Sequence, residues 1–187
     1  MATETLRPDS DVTKEWYTSA GTDHYLLVDN GVGTPVDTDY IGAGTDGKVD
    51  RFTLTAPSFS GICTSIRVQV RGARYTSGDS LDIGIYDAGG QIGSNKTITN
   101  AVLSIDNVWT TAWSGLSKSN ADIGGLEVQL TGNIGPSGDY IVYEIDVEIT
   151  YSSGPSDISE VNDVAGGSVG EINDVSWSSV SEVNDVS

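Results

Sequence analysis

Tyr143-Glu144-Ile145-Asp146-Val147-Glu148-Ile149 places an apolar residue at every second position and an acid at each position between. Successive side chains of a strand point to opposite faces, so a period of two predicts a strand with one dry face and one wet face. The pattern returns in Ile66-Arg67-Val68-Gln69-Val70-Arg71, Leu81-Asp82-Ile83-Gly84-Ile85-Tyr86-Asp87 and Leu126-Glu127-Val128-Gln129-Leu130, and Val49-Arg51-Thr53 alternates with Phe52-Leu54. Turn-forming clusters separate these runs: Ser77-Gly78-Asp79, Ala88-Gly89-Gly90 and Pro136-Ser137-Gly138-Asp139. Two sheets packed dry face to dry face satisfy the pattern, so the expected fold is all-β, an antiparallel β-sandwich of jelly-roll-like form. On this reading Glu127, Glu144, Asp146 and Glu148 wet the outer face.

The 187 residues allow one medium-sized domain with a core and a remainder of a few tens of residues. The 23 glycines and the abundance of Ser, Thr and Val favour strands joined by turns over long helices. The chain divides into three zones. Residues 1–47 form an amino-terminal arm with first strands packed on the sandwich, in which Trp16 and Tyr17 pin the arm down. Residues 48–152 form the sandwich. Residues 153–187 begin with a Ser-Ser-Gly-Pro linker and continue as three repeats of eleven residues, Glu160-Val161-Asn162-Asp163-Val164, Glu171-Ile172-Asn173-Asp174-Val175 and Glu182-Val183-Asn184-Asp185-Val186. Asn-Asp beside β-branched residues suits a turn between short strands better than a helix. So small a unit cannot bury its apolar residues alone, which makes Val161, Val164, Ile172, Val175, Val183 and Val186 the candidate assembly or docking residues. The composition also allows a disordered acidic tail.

A formal charge of -18 and an isoelectric point near 4.1 would repel nucleic acid over most of the surface. The chain starts Met1-Ala-Thr-Glu-Thr, without a basic start or an apolar run, so no secretion signal and no membrane span is expected, and the chain is expected to be made in a cytoplasm. The single cysteine, Cys63, lies in an apolar run and is expected as a buried free thiol. Acid pairs Asp9/Asp11 and Asp37/Asp39 offer a weak Ca²⁺ possibility, but Asp is common in turns and neither pair continues into a calcium-loop pattern.

Catalytic signatures are absent. One histidine, His24, is too few for a zinc site, and no Gly-x-Ser-x-Gly elbow accompanies it. Gly42-Ala43-Gly44-Thr45-Asp46-Gly47-Lys48-Val49 approaches a phosphate loop, yet Val49 cannot hold magnesium and a strand rather than a helix comes next, so a flexible loop is expected. Asn95-Lys96-Thr97 matches a glycosylation acceptor by coincidence of spacing. A glycan-degrading enzyme built on converging carboxylates is the weakest reading. Exposed aromatics can grip sugars by stacking; Trp109 and Trp113 are the candidates, with Tyr75 and Tyr86 beside them, and core packing competes for each.

The opening Leu6-Arg7-Pro8-Asp9-Ser10-Asp11-Val12, then Trp16, Leu27-Val28-Asp29 and Thr38-Asp39-Tyr40-Ile41, resembles the start of tailed-bacteriophage structural proteins. The likeness continues through Ala121 to Val128 and Tyr143 to Tyr151, and the repeated tail is similar to short repeats at the ends of phage and bacterial appendage proteins. The resemblance implies a non-enzymatic virion protein of the head-decoration, head-fibre or tail-appendage type, found on the virion after synthesis in the host cytoplasm. It implies homo-oligomers, trimers by analogy with viral fibres, docked to other virion proteins. A carbohydrate-binding adhesion module with a cell-surface glycan as partner is the alternative. If the repeats assemble the protein, deletion of Asp157–Ser187 leaves a folded monomer. Light scattering after size exclusion would show the oligomer mass falling on deletion; an unchanged oligomer removes the repeats from assembly.

Overall fold

A computed structural model describes residues 1–152 and, in the tail, the backbone of residues 161–162, 171–172, 175–176 and 183–184. The chain divides into two compact units, Met1–Ser152 and Ser153–Ser187. The first unit runs β1 (Ala2–Leu6), β2 (Pro8–Lys14), β3 (Tyr17–Thr18), a 3-10 turn (Tyr25–Leu27), β4 (Ile41–Ala43), β5 (Val49–Leu54), β6 (Ile62–Arg74) and β7 (Ser80–Asp87). It continues with β8 (Gly90–Gln91), β9 (Lys96–Ile98), β10 (Asp106–Trp109), β11 (Trp113–Ser119), β12 (Glu127–Asn133) and β13 (Tyr140–Ser152).

Two antiparallel sheets result. In the first, β10 and β11 share one edge of β6, β13 pairs with the other edge, and β1 and β4 both pair with β13, with β3 beyond β4. In the second, the order is β2-β5-β12-β7, with β8 and β9 at the far edge. From β4 onward the chain passes between the sheets: β4 in the first, β5 in the second, β6 in the first, β7 to β9 in the second, β10 and β11 in the first, β12 in the second, β13 in the first. That path is a jelly roll. The alternating runs meet in one core, where Ile66, Val68, Val70, Ile145, Val147 and Ile149 face Phe52, Leu81, Ile83, Ile85, Val128 and Leu130, all fully buried. Cys63 is a free thiol in the same core, and burial pushes its pKa up.

The amino-terminal segment is woven into the sandwich rather than laid on it as an arm. β1 pairs with β13 from Ala2↔Tyr151 to Leu6↔Val147, while β2 pairs with β5, so the chain changes sheets at Arg7. Acids hold the residues beyond β2 in place. Asp50 points inward from β5, accepts the amides of Glu15 and Trp16 and meets His24 Nδ1 at 2.5 Å. The single histidine is thus a buried pin for the segment. Asp11 accepts the amides of His24 and Tyr25, and the Trp16 indole donates to the Lys48 carbonyl. Gly42 and Ala43, expected in a flexible loop, are instead in β4, which pairs with β13.

The outer face of β13 departs most from simple alternation. Val142 pairs with Gly72 and Glu144 with Arg71, so Tyr143 is an inserted residue, a β-bulge that throws it out of phase with Ile145. Glu144 and Asp146, expected to be wet, are buried because the strap of residues 29–36 crosses them. Glu144 accepts the Gly31 amide at 2.8 Å and the Val36 amide at 3.0 Å, while Asp146 accepts Val32 N and Arg7 Nε. The Val28 carbonyl takes the Ile145 amide beside the bulge. Gly31 has a φ of 83°, in the left-handed region that favours glycine, and a Cβ there would displace the Arg7 guanidinium.

In the second unit, β14 (Val161–Asn162) pairs in parallel with β17 (Val183–Asn184), joining equivalent positions of the first and third repeats. β15 (Glu171–Ile172) pairs antiparallel with β16 (Val175–Ser176), flanking Asn173 and Asp174. Asn162 and Asn184, expected in turns, are instead in β14 and β17; the linker, Val164, Val186, Asn173, Asp163, Asp174 and Asp185 lie outside the described residues.

Burial beneath the strap pushes Glu144 up to about 7 from an ordinary 4.5; the Val36 and Gly31 amides oppose the shift, and Asp29 and Asp146 add to it. A carboxyl whose pKa rises on folding stabilises the fold fully below its unfolded value, and that contribution is lost as pH rises through the folded value. The native chain should therefore lose stability from about pH 5 to pH 8. Glu144→Gln should flatten that loss in denaturant titrations. Asp29, Asp50 and Asp139 are also raised by burial and leave some slope near the acid end of the window. Asp37, Asp79 and Asp87 are held low, so both proteins should weaken in acid as these groups protonate. An undiminished loss in the variant would mean that Glu144 does not govern the strap.

Candidate functional site

Residues directly opposite in antiparallel strands point to the same side, so register alone defines a row across the outer face of the first sheet. Tyr17 lies opposite Gly42, Gly42 opposite Ile141, and Ile141 opposite Ala73. Ile141 and Ala73 lie outside the core cluster. They floor a groove of about 230 Å³ whose other lining residues are Tyr75, Leu103, Ile105 and Tyr143. Tyr75 is 49% exposed and Leu103 72% exposed, so both stand at its rim.

Leu103 has a φ of 55°, in the left-handed region that a side chain other than Gly seldom adopts. Its amide donates to the Arg74 carbonyl at 2.9 Å, and its neighbour Val102 bridges to Arg74, which together hold the strained residue against the end of β6. A strained backbone that presents a leucine to solvent marks this rim as a place to look for function.

Three rings continue from the groove. Tyr143 meets Tyr40 edge-on at a centroid distance of 5.8 Å, and Tyr40 meets Tyr17 edge-on at 6.4 Å. Such edge contacts are favoured by the ring quadrupole and fix the orientation of each ring. The Tyr17 ring lies over Gly42, where any Cβ would collide with it, so the glycine lets the ring rest on the sheet. The Tyr17 hydroxyl donates to Asp139, whose backbone carbonyl in turn accepts the Tyr75 amide. Burial and the Asp139 bond push the Tyr17 phenol far up, which keeps it protonated, and burial raises Tyr143 as well. Asp139 is raised by burial, against the pull of the Tyr17 bond, and its Oδ1 is a buried oxygen with no partner among the described residues.

Polar groups border the shelf. Arg71 clamps Asp37 with two bonds of 2.7 and 2.6 Å and reaches Asn107 Oδ1 at 3.4 Å. The clamp closes the end of the strap against β6, and it employs Asp37, one of the acids weighed for Ca²⁺. The other pair is likewise engaged at Asp11. Among the described residues no group of three or more His, Cys, Asp or Glu is placed to hold a metal ion.

The aromatics singled out from sequence fall in different environments. Trp113 is 4% exposed, and its indole donates to the Ser94 carbonyl, so it packs in the core and offers no face to a sugar. Trp109 is 36% exposed on the outer face of the first sheet, opposite Gln69, but the Arg67 guanidinium stacks 4.0 Å above its ring. Tyr86 is covered in the same way by Arg51 at 3.9 Å. Tyr75 is the one of the four that belongs to the shelf. Nothing in the sequence marks Tyr40, Tyr143 or Leu103 as site residues, and it marks Tyr17 only as a pin. Their spacing in the chain carries no signal, because strand pairing brings them together. The docking residues Val161, Ile172, Val175 and Val183 lie in the short tail strands. Among the described residues no helix is long and apolar enough to cross a membrane.

No protein-family model matches the chain, and no curated protein matches it. Several solved structures are similar in outline. The CBM36-1 domain of a multidomain xylanase from the hindgut metagenome of Trinervitermes trinervoides is 10% identical, with a TM-score of 0.43 over 81% of this chain and 98% of that one. The C-terminal CBM6 of LamC, a marine laminarinase from Zobellia galactanivorans, is 12% identical, with a TM-score of 0.44 over 80% of this chain and 99% of that one. A family 35 carbohydrate-binding module from Clostridium thermocellum is 13% identical, with a TM-score of 0.43 over 81% of this chain and all (100%) of that one. Figures this low say nothing of what this chain binds; its fold rests on its own strand pairing, and the chain is an antiparallel β-sandwich.

Proposed function

We propose that residues 1–152 form a non-enzymatic glycan-binding module that grips sugar on the tyrosine shelf of the first sheet. The observation that carries this reading is the convergence of Tyr17, Tyr40, Tyr75 and Tyr143 beside an apolar groove of the first sheet, with Tyr17 and Tyr75 exposed, Tyr40 half-buried and Tyr143 buried behind them. The C–H face of a pyranose packs on an aromatic ring, and polar groups at the border orient its hydroxyls. Arg71 Nη1 and the Asn107 side-chain amide supply such groups here. Hydrolysis would need two carboxyls flanking one bond. The acids nearest the shelf are otherwise employed: Asp37 by Arg71, Asp139 by Tyr17 and Glu144 by the strap.

On a glycan array the native protein should bind a defined subset of sugars, and incubation with the same polysaccharides should release no reducing ends. Tyr75→Ala should weaken that binding by about 1.4 kcal/mol, roughly tenfold. Its melting temperature should stay near the native value because the ring is half exposed. Native affinity in the variant would move the site away from the shelf.

The same module fits the surface of a bacteriophage particle, as a head decoration, head fibre or tail appendage. Support for this placement is the likeness of the opening and of the repeated tail to tailed-phage structural proteins. There the repeats would join sister subunits or other virion proteins, and the shelf would meet a cell-surface glycan. Mass spectrometry of purified particles from a phage that encodes the chain should find it in stoichiometric amount; its absence from the particles would end this placement.

A further inference from the structure

The groove is one of two depressions that share the tyrosine ladder. At the opposite edge of the first sheet lies a larger hollow of about 300 Å³, lined by Glu15, Trp16, Tyr17 and Lys48 with Gly42 to Thr45. Tyr17 is a wall of this hollow, and Tyr143 is a wall of the groove. Between the two rings stands Tyr40, in edge contact with each. The row Tyr17, Gly42, Ile141, Ala73 crosses four neighbouring strands, and three strand spacings make it about 14 Å long. That span exceeds a single pyranose and suits several in line.

The hollow is also chemically ready for hydroxyls. Among the described residues neither Lys48 Nζ nor Thr45 Oγ1 makes a hydrogen bond, and Glu15 uses only Oε2, which accepts the Val49 amide at 3.0 Å. These side chains offer two donors and an acceptor around the exposed edge of Tyr17. The groove contributes apolar contact instead, from Tyr75, Leu103 and Ile105. Charge argues against an anionic chain. The protein carries -18 overall, Lys48 is matched by Glu15 within the hollow, and Arg71 beside the groove is already clamped by Asp37.

We propose that the ligand is a linear, uncharged oligosaccharide laid across the strands of the first sheet, from the Glu15–Thr45–Lys48 hollow, over Tyr17, Tyr40 and Tyr143, into the groove at Tyr75 and Leu103. This assignment rests on the glycan-binding reading and adds to it the length, direction and charge of the ligand. The two depressions act as subsites on one chain. Each alone holds a short sugar weakly, and a ligand that spans both gains from being anchored twice. Gly42 is the bridge, since a side chain there would lift the Tyr17 ring and break the path between the subsites.

The test is calorimetric titration of the full chain with neutral β-1,4-linked gluco- and manno-oligosaccharides, from monosaccharide to hexasaccharide. Affinity should rise at least tenfold between disaccharide and tetrasaccharide and then level off. The double variant Thr45→Ala/Lys48→Ala should remove that gain, with its fold checked by circular dichroism, while Tyr86→Ala on the other sheet should keep it. Equal affinity for short and long chains, or a length gain that survives in the double variant, would overturn the two-subsite assignment and leave the glycan-binding reading standing. On a glycan array that carries neutral and charged chains, binding of charged chains alone would overturn the assignment of an uncharged ligand. Binding of no glycan at all would overturn both.

Discussion

The antiparallel ladder between β6 and β13 is the pairing on which the remaining geometry depends. It runs from Tyr140↔Arg74 to Ser152↔Ile62, and each strand lends its second edge to two others: β13 to β1 and β4, β6 to β10 and β11. One inserted residue in that ladder, Tyr143, decides the character of the outer face. Before the bulge Tyr140 and Val142 point into the core; after it Ile145, Val147 and Ile149 do the same. Tyr143 itself is turned out of that set and, still buried, meets Tyr40 and walls the groove. A strand without the bulge would have to turn either its upper or its lower apolar set towards water, because a one-residue slip inverts every side chain beyond it.

The acidic composition is more than a solvating coat. Asp11, Asp50, Asp79, Glu144 and Asp146 each accept backbone amides from loops distant in sequence, and four of these five residues are buried: Asp50, Asp79, Glu144 and Asp146. A buried carboxylate is costly unless its oxygens are hydrogen-bonded, and an amide donor offsets part of that cost. These acids therefore do for the long connections what a hydrophobic contact would do if the connections had apolar residues to offer. The arrangement splits by degree of compensation. Asp79, with the Gly135, Thr76 and Asp139 amides around it, is held low despite burial, whereas Glu144, with two amides and two further acids near it, is pushed up to about 7. The strap is for that reason expected to respond to pH near neutrality.

Sequence patterning was a good guide to strands and a poor guide to faces that are covered from outside. Alternation at Ile66–Arg71, Leu81–Asp87 and Leu126–Leu130 identified the inward residues of β6, β7 and β12, because one face of each meets the core and the other does not. It failed at Tyr143, where the period breaks without any Gly or Pro to announce it. It also failed at Glu144 and Asp146, since period two reports polarity and cannot foresee a strap from residues 29–36. The tryptophans show the same limit. Trp109 and Trp113 are four residues apart, yet one is on the surface under Arg67 and the other in the core. The tyrosine shelf was illegible for a different reason. Residues 17, 40, 75, 103 and 143 are joined only through the pairing of β3, β4, β13 and β6, and nothing local in the chain encodes that meeting.

The direction of the shelf is set by the same pairing. An aromatic row along a strand is interrupted at every second residue, because alternate side chains enter the core. Across strands there is no such interruption: directly opposed residues all face outward, one per strand spacing. Gly42 and Ala73 in the row are too small to stand up, so the Tyr17 ring lies over Gly42, and Tyr75 and Tyr143 wall the groove at Ala73. Along β6 the outer face is closed within two residues of Ala73 by the clamp of Arg71 on Asp37. The open direction on this face is therefore across the strands. The clamp, the glycine and the bulge together give the face one axis, and that axis ends in a polar hollow on one side and an apolar groove on the other.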